Sequence, residues 1–321
     1  MKCNRRAAIS VGASLLASTA FGQTFGSKPL TVVVPFAPGG NADIVARSIS
    51  VPMAKLLGQS VIVDNRGGGG GAIGTALVAK APADGNTLLA ATPGQLGTLP
   101  HMFKTPYKLA DFAPVGVLSK TSIALMVKHG DSRFKSVEEL IAYVKNNPGK
   151  LNVGHAGPGS PNHLAMLQFE NAANCRFTAI SYKGSGPALV DLLSGQIDVI
   201  FDQVSSSLPH LKAGTLSALL VLGPTRDASL NGVRTLKEAG LPEFDASTYI
   251  GLLAPKGVPS EVLVKLTAIV QQVAADAAFD RGLKEIGSSA FYVDPKRFAE
   301  ILKADETLAF SLIKQGRLVN E

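Results

Sequence analysis

Short apolar runs alternate along this chain with segments whose apolar residues recur every third or fourth position. Residues 30–36 (LTVVVPF) are rich in β-branched side chains and predict a buried strand. Val45, Ile49, Met53, Leu56 and Leu57 then share one helical stripe, which Gly58 ends and Pro52 is expected to kink. Strands follow at 60–63 and 87–92 around a helix at 72–81. Ser136-Val137-Glu138-Glu139 reads as a capping box whose helix ends before Pro148. Strands at 151–155, 177–182, 197–201 and 216–222 alternate with helices opening at Ser160-Pro161, Pro187 and Ser205. Amphipathic helices are expected at about 260–275 and 295–315, the second capped by Asp294. Strands separated by helices predict βαβ units, parallel sheets and an α/β fold.

Two extended apolar segments, 115–127 and 249–254, read as strands crossing between two lobes. On that reading lobe one is 23–124 plus 249–321, and lobe two is 125–248. Residues 1–22 read as a secretory signal peptide: Lys2, Arg5 and Arg6 form a basic start, an apolar run to Phe21 follows, and small residues flank Phe21. Arg5-Arg6 is followed by Ala7-Ala8, a poor twin-arginine match, so ordinary export to the periplasm is expected. Loss of those three basic residues lowers the formal charge from +7 to +4. The remaining cations are scattered, which excludes a nucleic-acid patch. Cys175 is then the only cysteine, so no internal disulfide forms and a packed, inert thiol is expected.

Gly69, Gly71 and Gly74 spell G-x-G-x-x-G within a run of five consecutive glycines. A dinucleotide site also needs an acid at the tip of the next strand to hold the ribose. Here that tip reads Ala90-Ala91-Thr92-Pro93, so the run is read as a turn opening a helix, and no cofactor is implied. Three other junctions join a buried strand to a helix through Gly, Pro and Ser: Pro35 to Asn41, Ala156 to Ser160, and Tyr182 to Gly186. Helix starts offer unpaired N–H groups and a positive dipole end, and glycine lets a ligand approach the backbone. Two of these junctions fall in one lobe and one in the other, so they can converge on a cleft. Asp43 lies in a first helical turn, where it complements the dipole or holds a water or a ligand hydroxyl or amine. His155 and His163 lack the neighbours zinc needs, and no metal is expected. Ser160 reads as an N-cap, and no acid is placed to orient His163. Asp202, unlike Asp198, stands at the carboxyl end of its strand.

Many ordered blocks then match one family: VVVPFAPGGNADIVAR (32–47), LGQSVIVDNR (57–66), AKAPADGNTLL (79–89), HAGPGSPNHLA (155–165) and YKGSGPALVDLLSGQIDVIFD (182–202). The chain resembles the extracytoplasmic solute receptors of tripartite tricarboxylate transporter systems, the Bug family. The resemblance implies a periplasmic binding protein fold with two α/β lobes and a hinge. It implies a monomer that captures a small carboxylated solute for membrane permease subunits. Carried onto this chain, it places the ligand against Phe36, Pro38, Gly39, Gly40 and Asn41, with Asp43, and against Thr92 and Pro93. It adds Gly157, Ser160 and His163, then Tyr182, Gly184 and Ser185, and finally Asp202. The glycine run corresponds to a segment of the family that is structural. Pro93 stands where a Ser is usual, Asn41 where Gly or Thr is, and Pro161 and Asn162 where small Ser residues are. A secreted enzyme on a carboxylated substrate, using Ser160, His163 and Asp202, is the alternative of another class. A sensor that presents its ligand to a signalling partner is a third.

Overall fold

A computed structural model describes residues 25–26, 28–316 and 318. The expected signal peptide lies outside the described residues. The chain opens with β1 (Leu30–Val34), α1 (Asn41–Leu57), β2 (Val61–Asn65), α2 (Ala72–Ala79) and β3 (Thr87–Ala91). Two single turns, α3 (Gly94–Gly97) and α4 (Leu99–Met102), lead to β4 (Phe112–Thr121) and β5 (Ile123–Lys128). The middle runs α5 (Val137–Asn146), β6 (Asn152–His155), α6 (Pro161–Ala173), β7 (Thr178–Ser181) and α7 (Ser185–Ser194). It continues through β8 (Val199–Gln203), α8 (Val204–Lys212) and β9 (Leu216–Val221). Last come β10 (Thr248–Pro255), α9 (Ser260–Ala275), α10 (Ala277–Glu285), β11 (Ser289–Val293) and α11 (Pro295–Lys314).

These strands form two sheets, ordered β11-β4-β10-β3-β1-β2 and β7-β6-β8-β5-β9. β1, β2 and β3 are parallel, as are β6, β7 and β8, while β10 and β5 run against them. Both faces of the first sheet are covered, which explains the unbroken apolar run of β1. Val32 and Val34 point to the face packed by Ile49 and Met53 of α1 and Leu266 and Val270 of α9. Val33, one residue out of phase, points to the face packed by Val78 of α2 and Phe298 of α11. Each such buried aliphatic stabilises the fold by about 1.5–3 kcal/mol relative to exposure.

β4 and β5 are one extended run broken only at Ser122, with β4 in the first sheet and β5 in the second. Residues 249–254 lie inside β10, which stays in the first sheet against β3 and β4. The chain passes back between the sheets earlier, in residues 222–247. α11 serves both cores: Phe298 and Leu302 pack with Val33 and Leu89, and Leu312 packs in the cluster of Phe169 and Phe201.

The caps follow the sequence. Ser136 Oγ accepts from Glu139 N at 3.3 Å, and Asp294 Oδ1 accepts from Arg297 N at 2.9 Å. Glu139 reaches back to Lys135 N at 2.6 Å, one residue short of a full capping box. α3, α4, α10 and β11 were not expected; α10 buries only Phe279 and Leu283, too few to draw a stripe.

Candidate ligand cleft between the two sheets

Four helices begin around one cavity of about 290 Å³, its mouth included. Gly40, Asn41 and Ala42 come from the start of α1, Pro161 and Asn162 from α6, Ser185 from α7 and Gln203 from the N-cap of α8. Phe36, Thr92 and Ala156, just past the carboxyl ends of β1, β3 and β6, complete the wall. First-turn N–H groups have no acceptor up-chain, and each start carries a partial positive charge. None of the residues lining this cavity is charged. Its wall is neutral and meets the partial positive ends of four helices, with Val204 N already taken by Ser122 O and His163 N by Ser160 Oγ.

The polar side chains are tied in from behind. Asn41 is 3 % exposed; its Oδ1 accepts from Ser205 Oγ of α8 at 2.7 Å, which joins the two lobes. Its amide Nδ2 has no partner among the described residues. Asn162 Nδ2 donates to Phe201 O at 2.8 Å and Asp202 Oδ1 at 2.9 Å, and Gln203 Nε2 donates to Asn162 Oδ1 at 3.4 Å. Asp202 Oδ2 accepts from Ser206 Oγ at 2.6 Å and Ser207 Oγ at 2.7 Å. Asp202 is fully buried, and desolvation raises its pKa against those hydrogen bonds. It is thus a satisfied anchor beneath Asn162 and does not line the cavity. Thr92 donates to Gln95 Oε1 from both N (3.1 Å) and Oγ1 (2.6 Å), holding the tip of β3.

Asp43 also turns inward. Its Oδ2 accepts from Gly39 N at 3.0 Å and its Oδ1 pairs with Arg47 at 2.9 Å, so it shapes the loop and is neutralised. His155 and His163 stack with centroids 4.4 Å apart. Each Nδ1 accepts a turn N–H, from Gly157 at 3.2 Å and Gly159 at 3.1 Å. Both rings are accordingly neutral, with the proton on Nε2. Desolvation first, then the facing ring, pushes His163 down to about 3, and burial lowers His155. Ser160 Oγ caps α6 by accepting from His163 N at 3.3 Å. Ser160, His163 and Asp202 therefore do not form a relay: each is hydrogen-bonded elsewhere. Among the described residues no group of three His, Cys, Asp or Glu is placed to hold a metal. Cys175 is buried, and burial and Glu170 push its thiol up to about 11.

Glycines line the seam where the lobes meet. A Cβ on Gly67 would stand 2.8 Å from Ala37 N and 2.9 Å from Lys183 O, and one on Gly184 would stand 2.9 Å from Ala37 N. A Cβ on Gly40 would reach Ser185 Oγ at 2.7 Å, and one on Gly70 would strike Pro158 O. Ala37 N donates to Lys183 O at 2.9 Å across this seam. The glycine run expected to be a turn at a helix start thus also meets the opposite lobe, and the Gly157–Gly159 turn covers it.

Of the residues singled out from sequence, Phe36, Gly40, Asn41, Thr92 and Ser185 line the cavity. Pro38, Gly39, Gly157 and Gly184 form the seam. Asp43, Ser160, His163 and Asp202 brace it. Tyr182 lies outside, its hydroxyl on Asp191 Oδ2 at 2.6 Å, and Pro93 faces a neighbouring cavity. Ala42, Ala156, Pro161, Asn162 and Gln203 of the lining, and Ser205 behind Asn41, were not among the expected ligand contacts. Gln203 was within reach of the logic that chose Asp202, since it is the last residue of the same strand.

A family model for the tripartite tricarboxylate transporter family receptor matches residues 45–318. The chain belongs to this family. It is 34% identical over 291 residues to Protein BugT of Bordetella pertussis, covering 89% of this chain and 89% of that protein. MatC of Rhodopseudomonas palustris, solved with bound malate, shares 32% identity and superposes with a TM-score of 0.85 over 90% of this chain and 100% of that one. An R. palustris protein solved with adipate shares 32% identity, with a TM-score of 0.87 over 92% and 99%. The fold is that of a two-lobed periplasmic binding protein, as the resemblance implied. Its relatives are solute-binding proteins.

Proposed function

We propose that this chain is a periplasmic receptor that captures a small carboxylated solute between its lobes and presents it to the permease subunits of a tripartite transporter. The observation that carries the reading is the convergence of four helix starts on one cavity with no charged wall. Such a cavity suits a carboxylate, whose charge the N–H groups and dipole ends offset. That two relatives are described with malate and adipate supports the same ligand class. Residues 1–22 are then the export signal, and lobe one (23–124 plus 249–321) closes on lobe two (125–248) about the run through Ser122. Ligand acts by stabilising the closed form that the permease recognises.

The test is native mass spectrometry of freshly purified mature protein, followed by thermal-shift screening with carboxylates. A ligand that binds only the folded state raises its melting temperature. A retained, chemically unchanged acid that stabilises the protein establishes the receptor. No shift with any carboxylate, together with consumption of one, replaces it with an enzyme.

A further inference from the structure

A second cavity, about 390 Å³ with its open mouth included, backs onto the first. Pro161 is a wall of both, and Thr92 of the first is followed directly by Pro93 of the second. It also lies between the lobes, because Pro93 and Gly94 face α6 across it. Its only ionisable wall groups are two acids, Asp245 and Asp305. Asp305 accepts from Thr98 Oγ1 at 2.9 Å through Oδ2, and its other oxygen has no donor among the described residues. Thr248 is 2 % exposed, and its hydroxyl has no partner among the described residues. No cation lines this cavity. Asp245, the other acid on its wall, has Lys120 at 3.7 Å.

We infer that this cavity is a subsite for a cationic nitrogen of the solute, which makes the solute an amino-bearing carboxylate rather than a dicarboxylate. The inference rests on the receptor reading and narrows it. A buried polar group without a partner is costly, so the Thr248 hydroxyl calls for a polar ligand atom, and the half-buried Asp305 carboxylate beside it is best met by a group that donates. An ammonium donates to both and offsets the Asp305 charge. A second carboxylate there would face the like charges of Asp305 and Asp245 with no cation on the wall to offset Asp305. Desolvation raises the Asp305 carboxyl to about 7, against the Thr98 hydrogen bond, and a cation beside it would bring it back down. Because the Pro161 ring separates the cavities, the nitrogen belongs at the far end of the solute from its carboxylate.

The test measures affinities of the mature protein for matched short acids: butyrate, γ-aminobutyrate and succinate, then valerate, δ-aminovalerate and glutarate. The expected result is an amino acid bound about tenfold or more tighter than the plain acid and the diacid of the same length, a close charge pair being worth at least that. Asp305→Asn, which keeps the shape and the Thr98 contact, should abolish the preference. Thr248→Val should reduce it severalfold. If a plain acid or diacid binds best and Asp305→Asn leaves the ranking unchanged, the subsite is wrong and the receptor stands. If neither these acids nor a wider carboxylate panel binds, the receptor reading fails, and the subsite with it.

Discussion

Gly94 and Gly159 face one another across the lobes with no space for a single Cβ: a methyl on Gly94 would strike the Gly159 carbonyl oxygen. Gly94 has ordinary helical backbone at the start of α3, so alanine there is locally unstrained and even favoured by propensity. Its only steric conflict arises when the lobes meet. Gly94→Ala should therefore leave the unliganded melting temperature unchanged or slightly higher. It should weaken retention of the ligand found by native mass spectrometry by about tenfold or more, the loss of roughly 1.4 kcal/mol from the closed state. Small-angle scattering should show that the variant no longer contracts on adding ligand. Full contraction with unchanged affinity would show that the seam is not a closure contact.

The stacked histidines give stability a pH dependence of known sign. His163 falls from the usual 6.5 to about 3 in the folded chain, and His155 is also lowered. The unfolded chain therefore binds more protons than the folded one below about 6.5. Their contribution is complete above that value and drains as pH falls toward the folded values. Each histidine contributes a slope of at most about 1.4 kcal/mol per pH unit. Asp305 and Asp202, whose folded values are raised, oppose this decline between pH 7 and 4, so the histidine contribution is read as the difference between parent and His163→Gln in chemical denaturation across that range. A difference that does not shrink as pH falls would mean that the His163 ring is charged in the folded state.

Much of the fold could be read from the sequence, and the reason is local. β1 announces itself because both sheet faces are buried, and Ser136, Ser160 and Asp294 announce helix starts because their oxygens cap them. The loops of the cleft were legible for the same reason, being glycine-rich junctions at strand ends. Orientation was not. Asp43 and Asp202 stand beside the cavity in sequence, yet their carboxylates are drawn away by Gly39 and Arg47, and by Asn162, Ser206 and Ser207. Ser205 was invisible because its partner, Asn41, is 164 positions away. The glycine run was read as a turn opening a helix, and its second role, close approach to the other lobe, was hidden because Pro158 is far along the chain.

Ser160 distinguishes a cap from a nucleophile. Its oxygen accepts from His163 N, and His163 Nδ1 is already engaged by Gly159 N–H. Ser160→Ala should cost about 1 kcal/mol of stability, the usual loss of an N-cap. Intact protein should remain unlabelled by a fluorophosphonate that traps activated serines, as read by mass spectrometry. Stoichiometric labelling, lost in Ser160→Ala, would restore the enzyme reading.

Asp202 should behave as a buried anchor. Removing its carboxylate in Asp202→Ala strands Asn162, Ser206 and Ser207, and breaking such a buried charged network costs about 3–5 kcal/mol. Asp202→Asn keeps one acceptor and should cost less. Denaturant unfolding measures both, and equal small losses would mean that the network is not holding the base of the cleft.

Asn41 carries the sharpest prediction for the cavity itself. Its Oδ1 is held by Ser205 and its Nδ2 is unpartnered at the start of α1, so the amide is oriented to donate into the cavity. Asn41→Asp replaces that donor with an unbalanced negative charge where a carboxylate is to bind. No cation lines the cavity to offset it, so repulsion and desolvation act together. Calorimetry with the captured acid should show affinity falling by two orders of magnitude or so at neutral pH, several kcal/mol being typical of an unpaired like charge. Asn41→Ala removes only one neutral hydrogen bond and the Ser205 contact and should cost about tenfold. Ser205→Ala frees the amide to rotate without removing it, and its loss should be smaller still. The order Asp, then Ala, then the Ser205 variant separates charge from hydrogen bonding. If Asn41→Asp binds as well as the parent, the solute's carboxylate does not sit at the start of α1.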